Sequence, residues 1–305
     1  APVEFEALKA DSQTLEADVI GLQEVDCIEA IALIFPESEW QLFLSDRPDS
    51  EPYTCRQNGL TSTQQKVGYA VRKGLEVTRG ESLTSFGLDS RGLRYGVEID
   101  INSDFGAISA LNLHMKSGCF VDNFSRADSD ACVTFSRQAP ILDAWIEEKE
   151  SDGKPYLVMG DFNHRLSAPY NHLTRLLTSN SDGSDSTLNI ATRDIIGCHP
   201  YYPAPIDHIL VGNMANREVE QRVKVHAFDD MTVDNMLSDH CAISLTLDKQ
   251  SSALSNAVKW QTQSKEYQFL TTDAYQRAAQ TLAQAALPSD AWRVGMEAET
   301  NARPQ

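Results

Sequence analysis

The chain has 305 residues, 41% of them hydrophobic, and a formal net charge of -18, proportions that suit one large layered domain with an appendage. No apolar run reaches the length of a membrane span. The charge opposes long-range attraction to duplex nucleic acid or an anionic bilayer, so a phosphate substrate must be captured by local cations and a bound metal.

Phe5, Leu8 and Leu15 fall on one helical face, and Ala17 to Val25 follows as a buried strand ending in Gln23-Glu24. Ile28 to Phe35 predicts a second helix. Strands are predicted over Trp40 to Leu44, Val67 to Arg72, Leu93 to Ile101 and Ala107 to Met115, several alternating as a sheet buried on one face should. Loops rich in Pro, Ser and Gln separate them, notably Ser45 to Gln65. Ala131 to Glu150 is amphipathic, carrying Phe135, Ile141, Leu142, Trp145 and Ile146, and Gly153-Lys154-Pro155 turns it into a short buried strand, Tyr156 to Met159. Further strands are predicted over Ile206 to Val211, Val223 to Ala227 and Ala242 to Leu247. Strands mixed with helices, without a regular βαβ repeat, predict an α/β fold of packed mixed sheets flanked by helices. Beyond Asp248 the sequence becomes Gln/Ala-rich, with a predicted helix over Tyr267 to Ala286. The chain therefore divides into a domain over 1–248 and a linker, helix and tail over 249–305.

Six cysteines occur, with no Cys-x-x-Cys and no zinc-ligand spacing. Cys119 and Cys132 bracket a polar stretch with little to bury, and a disulfide there would stabilise it by about 3 kcal/mol in the chain-entropy model. They are expected to pair, which favours an exported protein. Cys55 and Cys198, both in loop-like sequence, form a second candidate pair; Cys241 reads as a buried small residue. The segment starting at Ala1-Pro2 carries no basic and apolar leader, so a signal peptide is expected to have been removed or to lie outside it.

Four segments set a carboxylate beside a His, Asn or Gln at the tip of an apolar run: Gln23-Glu24, Asp161-Phe162-Asn163, Asp207-His208 and Asp239-His240. Singly, each is an ordinary solvated turn or Asx-turn. In series they have the pattern of a divalent-metal phosphodiesterase centre built from strand ends. Cleaving a phosphodiester needs a cation to neutralise the phosphate, a base to activate the nucleophile and donors for the oxyanion. Glu24 is the first choice of metal ligand, with Asp239 second, for a hard cation such as Mg²⁺, or Mn²⁺ or Ca²⁺. Asp161 and Asn163, two apart in an extended segment, point the same way and can orient a water and hold a phosphate oxygen. Neighbours on a strand face opposite ways, so Asp207 is expected to serve His240, leaving His208 structural in the core. His114 ends another strand and is placed to protonate the leaving oxygen. Arg94, Lys116 and Arg165 are the phosphate-facing cations of choice.

Gln23-Glu24, Asn112-Leu113-His114, Gly160-Asp161-Phe162-Asn163, Ile206-Asp207-His208 and Ser238-Asp239-His240 together resemble the endonuclease/exonuclease/phosphatase superfamily, related to deoxyribonuclease I, over nearly all of residues 1–248. The resemblance implies a four-layered α/β sandwich with the metal site at one end of two packed sheets. It also implies Glu24 as metal ligand with Asp239 nearby, Asp161 and Asn163 on metal, nucleophile or scissile phosphate, and His240 paired with Asp207, together with His114, as acid and base histidines. Members open with a strand bearing an Asn some thirty residues before the Glu; the sequence begins too late to contain it, so either that strand is expected to have been lost from this segment or the sheet to be incomplete. The segment from His114 to Cys119 with Cys132 is similar to an exported bacterial branch, implying a periplasmic or secreted location. The tail, through Trp292 to Thr300, resembles the opening of secreted class C acid phosphatases, but Glu297 and Glu299 stand where both motif aspartates belong, so it reads as a vestige. The expected function is metal-dependent hydrolysis of nucleic acid or a small phosphodiester. The alternatives are a phosphomonoesterase, a phospholipid phosphodiesterase, or a catalytically silent binding module.

Overall fold

The computed structural model describes residues 2–54, 61–104, 106–214, 219–232 and 235–249. The expectations for the tail and for Cys55 lie outside these residues. Helix α1 (Pro2–Thr14) leads into β1 (Val19–Val25), α2 (Ile28–Ile34), β2 (Trp40–Leu44), the short pair β3 (Tyr53–Thr54) and β4 (Thr61–Ser62), and β5 (Lys66–Arg72). Next come β6 (Glu76–Arg79), β7 (Val97–Ser103), β8 (Gly106–His114), the long helix α3 (Asp130–Asp152) and β9 (Tyr156–Asp161). The last described elements are α4 (His172–Leu177), β10 (Asn189–Ile190), β11 (Asp207–Gly212), β12 (Val219–His226) and β13 (Ala242–Lys249).

One sheet is six-stranded, in the order β10-β11-β9-β8-β7-β6; the other side is built from the three-stranded sheet β1-β5-β2 and the hairpin β12-β13. Strand alternation sorts the side chains into layers. From β8, Leu111 and Leu113 join α3 residues Phe135, Leu142 and Ile146 in one core, while Ile108 and Ala110 turn to a second. From β5, Val67, Tyr69 and Val71 meet that second core, and Ala70 faces Ile31 and Phe35 on the far side. Helix, sheet, sheet and helix thus stack as the four expected layers.

Helix α3 starts where the Ser129 hydroxyl accepts the Cys132 amide hydrogen and stops at Gly153, whose φ of 65° favours glycine. Strand β7 begins at Val97 rather than Leu93, because Leu93 closes a turn onto Ser90 and only Gly96 bridges back, to Leu83. Strand β6 gives no sequence signal because it is an edge strand with three of its four residues exposed.

Strands β1 and β13 both lie at sheet edges. Between them runs a cleft of about 450 Å³ lined by residues such as Val19, Gly21, Met159, Ile243 and Leu245. The Asn-bearing strand implied ahead of Glu24 has no counterpart among the described residues, where α1 precedes β1.

Cys119 and Cys132 form the expected disulfide, with Cα atoms 4.8 Å apart. Cys198 pairs with Cys241, not with Cys55. The reason is topological: β13 packs beside β11, which brings the residue preceding β13 against the loop preceding β11. Cys27 is the free thiol among the described residues.

Candidate functional site

Sheet register assembles the site. Strands β8 and β9 are parallel and finish at the same rim, with His114 opposite Asp161. Strand β11 runs the other way and starts there, with Asp207 opposite Asp161. Three separate stretches of sequence thereby place a histidine and two carboxylates side by side. Gly160 makes the approach feasible: its φ is 136°, and a Cβ there would strike the Leu113 carbonyl oxygen.

Asp161 is 5% exposed. Its carboxylate accepts the Asn163 backbone hydrogen at 2.6 Å and the Asn163 Nδ2 hydrogen at 2.9 Å. The amide and carboxylate are therefore side by side as expected, but through a tight turn with Asn163 at φ 48°, not through an extended segment. Asn163 Nδ2 also lies 3.2 Å from the Met115 carbonyl oxygen and 3.1 Å from His114 Nε2. Burial, then the Asp207 charge, push the Asp161 carboxyl up to about 7; Glu24 adds to this and His240 opposes it.

His240 Nδ1 sits 2.7 Å from Asp207 Oδ2, the partnership expected from strand alternation. That hydrogen bond pushes His240 up to about 9, against its partial burial. At neutral pH it is an imidazolium beside a carboxylate. The Ser238 hydroxyl accepts the His240 backbone hydrogen at 3.1 Å, and the Cys198–Cys241 disulfide anchors the adjacent residue.

His114 is different. Its Nε2 is 3.3 Å from Asp161 Oδ2, its Nδ1 is buried without a hydrogen-bond partner, and burial together with Arg94 and His240 pushes it down to about 3. These surroundings favour a neutral imidazole, in contact with both Asp161 and Asn163. His208 is structural: Nδ1 is 2.9 Å from Thr192 Oγ1 and Nε2 3.0 Å from the His164 carbonyl oxygen.

Ligand atoms of Asp161, Asp207 and His240 all lie within 4.8 Å of one another, close enough to hold one metal ion. Glu24 and Asp239 are outside that group. Glu24 occupies a β-bulge at φ 58°, and its half-exposed carboxylate is 3.2 Å from Arg94 Nη2. Asp239 lies beside His240 in the adjoining groove and its charge favours the imidazolium. Arg94 also donates to Gln65 Oε1 at 2.6 Å. Lys116 turns its Nζ to the Ser117 carbonyl oxygen, and Arg165 is exposed on the groove wall.

Asn112 is the structural residue beneath the site that single-sequence reasoning underrates. Fully buried, it donates from β8 to the Leu22 oxygen at 3.0 Å and the Gly68 oxygen at 2.7 Å, and accepts from Gln23 Nε2 at 2.6 Å. It thus ties the six-stranded sheet to β1 and β5 just before Glu24. The available signal was an amide inside the apolar run Leu111-Asn112-Leu113. His164 was also missed; it hydrogen-bonds the Cys119 carbonyl and Asn171, fixing the loop that carries Arg165.

The model of the Endonuclease/Exonuclease/phosphatase family matches residues 5–240. No curated protein sequence matches the chain. Among solved structures, D. rerio TDP2 complexed with a single-strand DNA product is similar at TM-score 0.55 and 14% identity, covering 81% of this chain and 92% of that one. The 3' phosphatase NExo from Neisseria, bound to a product DNA hairpin, gives 0.54 and 15% identity over 81% and 95%. The Xenopus laevis APE2 catalytic domain gives 0.52 and 15% over 80% and 88%. At such identities these likenesses show the fold.

Proposed function

Because the chain belongs to the endonuclease/exonuclease/phosphatase family of metal-dependent phosphoric ester hydrolases, we propose that residues 1–248 cleave phosphodiester bonds as an exported nuclease. The convergence of Asp161, Asp207 and His240 carries this reading. A divalent cation fits the donor set: the carboxylates of Asp161 and Asp207 converge at the rim, burial and then the Asp207 charge push the Asp161 carboxyl up, and carboxylate oxygens suit Mg²⁺, Mn²⁺ or Ca²⁺. Asp161 and Asp207 would hold it, with Glu24 and Asp239 as further acidic partners. When bound, the cation supplies charge neutralisation at the phosphate and a more acidic water.

The chain's own groups divide the remaining work. Asp161, its carboxylate oriented by both Asn163 hydrogens, takes the proton of the attacking water. His240, kept protonated by Asp207, hydrogen-bonds the phosphate and passes its one available proton to the leaving oxygen as the bond to phosphorus breaks in an in-line displacement. His114 keeps the Asp161–Asn163 pair in place. Arg94, Lys116 and Arg165 are the cations assigned to the phosphate, which Arg94 and Lys116 would meet by exchanging their present partners Glu24 and the Ser117 carbonyl. Two disulfides favour a periplasmic or secreted location.

A monoesterase reading draws on the likeness to NExo, described as a 3' phosphatase. Hydrolysis of bis-p-nitrophenyl phosphate against p-nitrophenyl phosphate, with Mg²⁺, Mn²⁺ or Ca²⁺ and with EDTA, separates the two. Faster cleavage of the diester, abolished by EDTA, supports the nuclease reading. Cleavage of the monoester alone replaces it, and cleavage of neither leaves a silent binding module.

A further inference from the structure

The cleft beside the site is lined by two aromatic stretches, Phe120 and the His199–Tyr202 turn. It measures about 380 Å³ and is lined by Asp207, His240, Arg165, Phe120, His199 and Tyr202 among others. Phe120 is 52% exposed, Tyr201 70% and Tyr202 69%. Aromatic rings held in water at a site mouth serve binding more often than packing.

Both stretches are braced. The Cys119–Cys132 disulfide adjoins Phe120, and the Cys198–Cys241 disulfide adjoins His199. His199 Nδ1 accepts the backbone hydrogens of Tyr201 and Tyr202, each at 3.2 Å, and its ring centroid is 4.8 Å from that of Tyr202. Gly197 closes the turn by donating to the Pro203 oxygen at 2.7 Å. A preorganised aromatic turn gives up little conformational freedom when a ligand stacks on it.

We propose that this groove is a base-stacking subsite: the Tyr202 and Phe120 rings receive an unpaired nucleobase flanking the phosphate bound at Asp161, Asp207 and His240, with Arg165 on a neighbouring phosphate. It rests on the phosphodiesterase reading and narrows its substrate to single-stranded nucleic acid. The favoured occupant follows from continuity and charge. The groove reaches Asp207 and His240 of the reaction centre, so a base stacked there is within one nucleotide of the scissile group. A net charge of -18 disfavours the higher charge density of a duplex or an anionic bilayer, and an unpaired base gains from stacking on exposed rings what a paired one cannot.

The test compares (dT)8 with the same eight-mer made of abasic residues, in wild type, Tyr202→Ala, Tyr202→Phe and Phe120→Ala. Turnover is followed with Mn²⁺, and binding of fluorescein-labelled strands is followed in EDTA. Wild type is expected to bind (dT)8 about ten-fold more tightly than the abasic strand. Tyr202→Ala should erase that preference while treating the abasic strand as wild type does, and Tyr202→Phe should keep it. A preference that survives in both alanine variants overturns the subsite, as does an equal loss on both strands. So does binding of phosphatidylcholine vesicles that depends on Phe120 and Tyr202. Failure of the phosphodiesterase reading shows separately, as no turnover of bis-p-nitrophenyl phosphate by wild type; the EDTA binding arm still decides the subsite.

Discussion

Asp207 Oδ2 and His240 Nδ1 meet at 2.7 Å although 33 residues separate them in the chain. One stands at the start of β11 and the other just ahead of β13, so the pair forms only when the hairpin is packed against the six-stranded sheet. The contact makes His240 a cation at neutral pH and is the reason its titration lies near 9.

Replacing Asp207 with Asn should return His240 toward an ordinary histidine value, and the imidazole proton resonances of the metal-free protein report this directly. The sign for stability follows. The folded-state value is raised, so the stability contributed is fully present below the unfolded value of about 6.5 and is lost as pH rises through about 9. Denaturant midpoints of wild type should therefore decline more between those limits than those of Asp207→Asn. Equal slopes would refute the coupling.

Asp161→Ala and His240→Ala should each abolish turnover and leave the fold intact, because both side chains face the rim rather than a hydrophobic core. Circular dichroism and a melting curve check the fold; bis-p-nitrophenyl phosphate checks the rate. Near-normal rates in either variant would remove it from the reaction.

Glu24→Gln keeps the shape of the bulge while deleting a charge that bears on Asp161. Half-saturation of activity by Mg²⁺ should require a higher concentration, and Asp161 should titrate lower in the metal-free protein. An unchanged metal titration would leave Glu24 as the ion-pair partner of Arg94 and nothing more.

Asn112→Leu tests the tie between the sheets. The substitution is close in size but leaves the buried Leu22 and Gly68 oxygens and the Gln23 amide without that partner. A loss of about 1–3 kcal/mol is expected for such unsatisfied groups, measured by urea denaturation. No loss would mean that β1 is held by its strand pairing and core contacts alone.

The sequence makes strand and helix identities plain wherever burial imposes a period, as in β5, β8 and α3. It makes the Asp207–His240 partnership legible because strand alternation forbids Asp207 from sharing a face with its neighbour His208. Edge strands such as β6 are poorly legible, because exposure removes the apolar signal. The Cys198–Cys241 bridge could not be read either, since it depends on β11 and β13 lying side by side, a relation of topology and not of local pattern. His114 shows a further limit: a histidine at a strand end does not reveal how deeply it is buried. The tight turn at Asn163 belongs with it, since an extended Asp-x-Asn and a turned one both set amide beside carboxylate.

The most direct test is anomalous diffraction from crystals equilibrated with Mn²⁺. The account predicts one strong peak at the rim, within about 2.0–2.6 Å of carboxylate oxygens of Asp161 and Asp207, with the His240 ring in reach, and loss of that peak in Asp161→Ala. A peak elsewhere on the molecule, with none at the ends of β9 and β11, would contradict it.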